Sequence, residues 1–236
     1  MIKGIFQAGQ NLQIGEKQIG VISNNLANMG TSGYKKAMPF YQILMEEGET
    51  VTKQVTDFAA GEKLFTGNPL DVALKGDAYF TVDTKNGERL TRDGNFSISQ
   101  EGYLTHGNDN YVVGEGGLIN LKDVMSGKDN KITITADGMI MVGSKVVDKL
   151  MIMRANEDAT LIKDSEVYFK SSDDDFSQVN EGEFEVSQGF LEGSNVSPIE
   201  EMESMISLSK SYESAKNILT YLDESLEKAN QIGKVF

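Results

Sequence analysis

Apolar residues recur at alternating steps of three and four near both ends of the chain. Toward the C-terminus the series is Met205, Leu208, Tyr212, Ala215, Leu219, Leu222, Leu226 and Ala229. Toward the N-terminus it is Ile5, Ala8, Leu12, Gly15, Ile19, Ile22 and Leu26. Such spacing draws a narrow stripe along a helix, one that drifts slowly enough to follow a second helix in a left-handed pair. It predicts helices over about Lys3 to Asn28 and Val196 to Ile232, roughly 40 and 50 Å long at about 1.5 Å per residue. Bringing the two ends together, parallel or antiparallel, is the simplest way to bury both stripes.

From about Met38 to Leu191 the period changes. Alternating or β-branched runs occur at Val51–Phe58, Leu70–Leu74, Ala78–Asp83, Phe96–Ser99, Lys131–Thr135, Met139–Val142, Val146–Met153 and Phe184–Ser187. Asn86-Gly87, Asp93-Gly94, Glu101-Gly102, Asp137-Gly138 and Glu181-Gly182 separate them. Asn-Gly and Asp-Gly suit the positive φ of tight hairpins. No long helical pattern intervenes, so the sheets are expected to be antiparallel. Asp93-Gly94-Asn95-Phe96, Glu101-Gly102-Tyr103-Leu104 and Asp137-Gly138-Met139-Ile140 read as reuse of one hairpin turn. The expected fold class is therefore α+β. Residues 1–36 and 192–236 form a coiled-coil-like stalk of terminal helices, and residues 37–191 a central all-β antiparallel domain.

Local signals mark the helix ends. Ser197, Pro198, Ile199 and Glu200 fit N-cap, N1, N2 and N3 of a capping box, with proline where its missing N–H costs nothing. Glu201 and Glu203 add favourable charge to the first turn. Gly30 is expected as the left-handed stop of the N-terminal helix, and Thr31-Ser32-Gly33 as a turn. Gly15 weakens that helix by on the order of 1 kcal/mol relative to Ala. Its polar side is rich in amides, including Gln7, Gln10, Asn11, Gln13, Gln18, Asn24, Asn25 and Asn28. Amides meet protein without the desolvation cost of an ion, so this side reads as a second contact face, although a plain solvated face is the alternative. The candidate subunit and helix interface is thus Ile5, Leu12, Ile19, Ile22, Asn24, Asn25, Leu26, Asn28, Met205, Leu208, Tyr212, Leu219, Leu222 and Leu226. The C-terminal helix outruns its partner, and its first turns must find another surface. Much of the stripe in a lone chain would stay exposed, which favours self-association.

Composition narrows the function. The 236 residues carry a formal net charge of −14, which disfavours nucleic acid and anionic lipid as partners. There is no cysteine, hence no disulfide framework or thiol chemistry. No run approaches the ~18 apolar residues of a membrane span, so no direct membrane insertion is expected. Gln7, Gln10, Asn11 and Gln13 interrupt any apolar core of a cleaved signal. The single histidine, His106, sits in Thr-His-Gly-Asn and reads as a surface turn residue. Asp173-Asp174-Asp175 lacks the rhythm of a calcium loop, and Gly114-Glu115-Gly116-Gly117 lacks the Lys-Ser/Thr and helix of a phosphate cradle. No catalytic residue, cofactor or metal is expected. The rival readings are an acidic β-domain hydrolase on a helical stalk and a coiled-coil adaptor.

Asn24-Asn25-Leu26-Ala27-Asn28, followed by Thr31-Ser32-Gly33-Tyr34-Lys35, resembles the N-terminal signature of the bacterial flagellar axial family, the rod, hook and junction proteins. Leu191-Glu192-Gly193-Ser194-Asn195-Val196, with Glu201-Met202, Met205-Ile206 and Tyr212-Glu213, resembles its C-terminal signature. Thr91-Arg92-Asp93-Gly94-Asn95-Phe96 and Gly102-Tyr103-Leu104 resemble its β-domain core. The order is kept across the whole chain. Pro69-Leu70-Asp71-Val72-Ala73-Leu74, Val113-Gly114-Glu115-Gly116-Gly117 and the short span from Tyr34 to Pro69 resemble the proximal rod type. Gly76-Asp77-Ala78-Tyr79-Phe80 is also similar in style to the distal type. Ser207-Leu208-Ser209-Lys210 departs from the Gln-Arg or Ala-Arg that relatives often place there. The resemblance implies a structural subunit of the basal-body rod that stacks helically with copies of itself and with other rod proteins. It implies terminal helices around an export channel, a β domain outside, and torque carried to the hook. It further implies passage through the flagellar type III export apparatus into the periplasm without a cleaved signal.

Overall fold

The computed structural model describes residues 2–43, 50–107, 110–125, 131–156, 161–171, 176–180 and 182–233. The chain is α+β, with a long helix near each end and an antiparallel β-rich middle. In order these are α1 (Ile2–Ala27), β1 (Ala37–Ile43), β2 (Thr50–Thr56), β3 (Lys63–Phe65), β4 (Val72–Lys75), β5 (Tyr79–Thr84), β6 (Gly87–Thr91), β7 (Phe96–Ile98), β8 (Leu104–His106), β9 (Asn110–Gly114) and β10 (Gly117–Leu118). There follow α2 (Lys122–Met125), β11 (Ile132–Ile134), β12 (Met139–Val142), β13 (Lys145–Lys149), β14 (Ile152–Ala155), β15 (Leu161–Lys163), β16 (Tyr168–Ser171), β17 (Phe176–Gln178), β18 (Glu185–Gln188), β19 (Phe190–Glu192) and α3 (Pro198–Gly233).

The chain divides into two compact units. One comprises residues 1–29, 36–57 and 196–236, and the other residues 30–35 and 58–195. Residues 37–57, placed in the central domain from the sequence, group with the helices together with Lys36, and they carry the β1–β2 hairpin. Residues 30–35 group instead with the β-rich unit.

In the first unit α1 lies beside α3. Asn25 of α1 bonds Glu201 near the start of α3, and a Cβ on Gly15 would lie 3.4 Å from the Tyr212 ring. As α1 is followed backward α3 is followed forward, so the two run antiparallel. The helix starts where the sequence placed it: α3 begins at Pro198, and Glu201 N–H donates to the Ser197 carbonyl at 3.0 Å. Gly30 does not take the left-handed conformation expected of it. Gly33 does, at φ 67°, and a Cβ there would collide with the backbone of Asp93. That close approach, not a helix stop, is what the glycine serves.

The β-rich unit is organised on β5. Tyr79, Phe80, Thr81 and Val82 are all buried, so β5 is covered on both faces. On one face Phe80 and Val82 join the main core with Val72, Leu104, Val112 and Ile152. On the other, Tyr79 packs with Leu90 and Phe169. The large sheet runs β15-β16-β6-β5-β9-β8-β7, with β14 and β17 extending from β5 and β10 from β9, and its pairings are antiparallel. The single run expected over Val146–Met153 is two strands, β13 and β14, which belong to different sheets. The shared-turn reading holds for Glu101-Gly102 and Asp137-Gly138, whose glycines have φ of 89° and 85° and join β7–β8 and β11–β12. It fails for Asp93-Gly94. Gly94 has no positive φ, and a Cβ on it would strike the Val72 carbonyl. This glycine allows two backbones to touch, between strands that do not pair with each other. Asp173-Asp174-Asp175 and Glu181 lie outside the described residues.

Candidate assembly interface

The helix pair follows the expected stripe. From Met202 to Lys228, Met205, Leu208, Tyr212, Ala215, Leu219, Leu222 and Leu226 are half-buried and every other residue is exposed. On α1, Ala8, Leu12, Ile19 and Leu26 are half-buried, and Gly15 and Ile22 are buried. Ile5 lies in α1, but its side chain is outside the description, as is that of Ala229. The covered face of α1 is wider than one stripe. Ile14 and Gln18 are half-buried, and Val21 and Asn25 are buried. Val21 and Asn25 sit a turn apart beside the main row, a second row hidden in the sequence by its mixed polarity.

The amide face therefore splits. Asn24 is exposed and Asn28 bonds back to the Asn24 carbonyl at 2.9 Å. Asn25, by contrast, is an internal bracket. Its Nδ2 donates to the Ala37 carbonyl at 2.9 Å and to Glu201 Oε2 at 3.1 Å, and its Oδ1 accepts from Ala37 N–H at 3.0 Å. Lys36 Nζ reaches Glu201 Oε1 at 2.6 Å. Glu201, expected only to favour the first turn of α3 by its charge, is 3% exposed. One carboxylate and one amide join the end of α1, the start of β1 and the start of α3.

Three further signature residues, Lys35, Arg92 and Glu192, converge within the β-rich unit. Glu192 Oε1 accepts from Lys35 Nζ at 2.6 Å and from Gly61 N–H at 3.1 Å, and Oε2 faces Arg92 Nη1 at 3.4 Å. All three charged side chains are buried. Lys35 also donates to the Ala59 carbonyl and Arg92 to the Gly76 carbonyl, at 2.7 and 2.6 Å. The Arg92 guanidinium lies 4.8 Å from the centre of the Tyr79 ring. Burial pushes the Tyr79 hydroxyl up to about 12 against the pull of Arg92. Lys163 Nζ stands 3.7 Å over the Tyr34 ring and donates to the Lys35 carbonyl at 3.1 Å. Burial draws its amine down to about 8, with Glu166 opposing.

His106 is not a surface turn residue. It ends β8, is 5% exposed, and lies inside a polar chain. Ser32 Oγ donates to Asp93 Oδ1 at 2.6 Å, and His106 Nε2 lies 2.9 Å from Asp93 Oδ2. Its Nδ1 meets the Tyr168 hydroxyl at 2.5 Å, and Asn110 Nδ2 donates to that hydroxyl at 2.7 Å. A neutral imidazole that donates from Nε2 and accepts at Nδ1 satisfies every member. The aspartate separates serine from histidine, so the imidazole cannot take the hydroxyl proton as a nucleophilic relay requires. The chain instead ties the 30–35 segment to β8 and β16. Thr-His-Gly-Asn looks like a turn because the glycine and asparagine follow a short strand; Asp93, thirteen positions upstream in sequence, gave no local signal.

Comparison with known proteins agrees along the chain. Residues 15–35 match the family described as "Flagella basal body rod protein", residues 73–142 the "Flagellar hook protein FlgE/F/G D1 domain", and residues 187–232 the "Flagellar basal body rod FlgEFG protein C-terminal". The chain is 28% identical to the flagellar basal-body rod protein FlgF of Rhizobium meliloti, over 97% of both chains. It is 29% identical to FlgF of Salmonella typhimurium, over 91% of this chain and 92% of that one. The basal-body rod protein FlgG of Bacillus subtilis is 28% identical over 97% of this chain and 98% of its own length. The residues that converge at Asn25, Lys35 and Glu192 lie within or beside the matched segments.

Proposed function

This chain belongs to the flagellar basal-body rod protein family, and we propose that within the rod it serves as a proximal subunit of the FlgF type. It is a structural protein of the basal-body rod and not an enzyme, which removes the hydrolase reading. In our reading the stripes of α1 and α3 pair as a coiled-coil-like stalk. Copies stack helically through these helices, around the export channel, while the strands form the outer layer. The residues that carry this are the seam, Ile5, Leu12, Ile19, Ile22, Leu26, Met205, Leu208, Tyr212, Leu219, Leu222 and Leu226, with Asn24, Asn25 and Asn28 at its end. Functionally, residues 1–36 and 192–236 make the axial tube and residues 37–191 the outer domain.

One observation supports the reading above others: α3 is half-covered along a single row and exposed everywhere else between Met202 and Lys228. A helix of 36 residues with that little cover gains too little from one partner to be an end in itself. The partners are then further copies, neighbouring proximal and distal rod subunits, and the flagellar export apparatus during secretion. Among the described residues no helix is long and apolar enough to cross a membrane, in keeping with a periplasmic rod subunit. The distal, FlgG-type assignment is the second reading, favoured by the match to the Bacillus subtilis protein over nearly the full chain.

The test is removal of the gene followed by electron microscopy of isolated basal bodies. A rod missing or broken off at its base is the expected outcome; a rod lacking only its outer end indicates the distal assignment. Complete rods with hooks attached would overturn both. Joint replacement Leu219→Lys and Leu222→Lys places two charges on the seam. It is expected to abolish incorporation into basal bodies while leaving the thermal unfolding of the β-rich unit unchanged.

A further inference from the structure

α3 has a second face that its own chain leaves uncovered. Ile199, Met202 and Ile206 are 79%, 53% and 58% exposed. Their steps of three and four put them on one side of the helix, turned away from the seam. Lys210, Glu213 and Asn217 continue that side and are exposed as well. On α1, Gln13, Glu16, Gly20, Asn24 and Ala27 form an exposed outer face of their own. A Cβ on Gly20 would meet nothing within 4 Å.

The internal pair fixes a level. Asn25 stands beside Glu201 and Gly15 beside Tyr212. If the outer face of another α1 meets the outer face of α3 at that same level and direction, Ala27 falls opposite Ile199 and Gly20 opposite Ile206. Glu16 then falls opposite Lys210, and Gln13 opposite Glu213. A large apolar side chain meets an open glycine, a cation meets a carboxylate, and a carboxylate meets an amide. Sliding by seven residues in one direction sets Glu203 against Glu16, a like-charge contact. Sliding by seven in the other moves Lys210 away from Glu16 and onto Ser23. Of these three registers, the first alone satisfies both shape and charge.

We propose that the Ile199–Met202–Ile206 face of α3 is covered by the outer face of α1 from a second copy of this chain, with Lys210 paired to Glu16 of that copy. A single chain cannot make the contact, because the two faces lie on the outer sides of its own helix pair. The faces are different, so the contact is heterologous and leaves one of each kind free at the ends, which lets it propagate. The inference rests on the rod assignment for its setting, and it names which surfaces meet and at what level.

The chain has no cysteine, so introduced cysteines report contacts without background. Cells lacking the natural gene would express Gly20→Cys and Ile206→Cys copies together, and isolated basal bodies would be oxidised. A disulfide-linked dimer is expected. The pair Gly20→Cys with Asn217→Cys is expected to give none, since eleven residues of helix separate Asn217 from Ile206, about 16 Å, beyond the ~7 Å Cα reach of a disulfide. Separately, Glu16→Lys and Lys210→Glu are each expected to lower recovery of the chain in basal bodies about fivefold, and the double exchange to restore it. Single exchanges without effect, a double that fails to restore, or a dimer formed equally through Asn217→Cys would overturn this register and leave the rod assignment standing. Absence of the unaltered chain from basal bodies would remove both.

Discussion

Glu192 is the residue on which distant parts of the β-rich unit depend. It holds Lys35 and Arg92, from segments far apart in sequence, in a buried cluster. Two cations and one carboxylate out of water are stable only while all are present. Glu192→Gln removes the buried carboxylate that both cations face and leaves Arg92 the exposed Asp77 at 3.9 Å, and a loss of about 3–5 kcal/mol is expected in denaturant unfolding of the full chain. A loss within experimental error would show that water reaches the cluster. Lys163 gives a pH-dependent counterpart. Its amine titrates near 8 when folded and near its ordinary 10.5 when unfolded. Below 8 it is charged in both states, and the penalty of burying the charge is fully present. Between 8 and 10.5 the folded protein has released the proton while the unfolded chain still binds it, so stability from this group rises with pH. Relative to Lys163→Met, the wild-type chain is expected to gain stability between about pH 7.5 and about pH 9.5. Tyr79, pushed up to about 12, works in the opposite sense, but only once the unfolded tyrosine ionises near 10. A flat or falling difference across the lower window would contradict the Lys163 environment.

At the scale of elements, what the sequence revealed and what it hid have separate physical causes. The helices were legible because each covers one side through successive turns among the described side chains, and a long period is visible in apolar spacing. The strands that were missed are short or lack alternation. β8 is Leu104–His106, three buried residues two of which are polar, and β6 is Gly87–Thr91, opening on a glycine and two charges. β3 is exposed at every position, so burial wrote no pattern into it. Charged networks were illegible for another reason: Lys35, Arg92 and Glu192 become neighbours only through the tertiary fold, and no local period announces that. Gly15 shows the two levels in conflict. As a helix residue it is poor, yet it sits against Tyr212 at a distance that admits a methyl group and little more. Gly15→Ala is therefore expected to raise the helicity and melting of the helix pair by about 0.5–1 kcal/mol. Gly15→Leu is expected to lower them by forcing the helices apart. Far-UV circular dichroism on thermal melting separates the two; equal melting of both variants would mean that α1 and α3 do not meet at this level in solution.

The two units differ sharply in how much apolar surface each hides. The β-rich unit has a continuous core that includes Phe80, Leu104, Val112, Ile119, Leu121 and Ile152, each no more than 2% exposed. In the helical unit the described residues of α3 beyond Glu201 reach only half-burial. Each fully buried large apolar side chain contributes about 1.5–3 kcal/mol, and the stripe of α3 realises only part of that in one chain. Isolated helices gain little without such cover. A solitary chain is therefore expected to open its helices far more often than its sheets, through local unfolding that leaves the β core intact. Limited proteolysis of dilute protein should cut first within 1–29 and 196–236 and leave a resistant fragment near 58–195, and amide exchange should be fast in both helices. In isolated basal bodies the same helices should be protected if assembly covers the faces that one chain leaves open, as proposed above. Equal protection of the helices in dilute and assembled protein would mean that the helix pair is self-sufficient, and the physical reason for assembling through it would be lost.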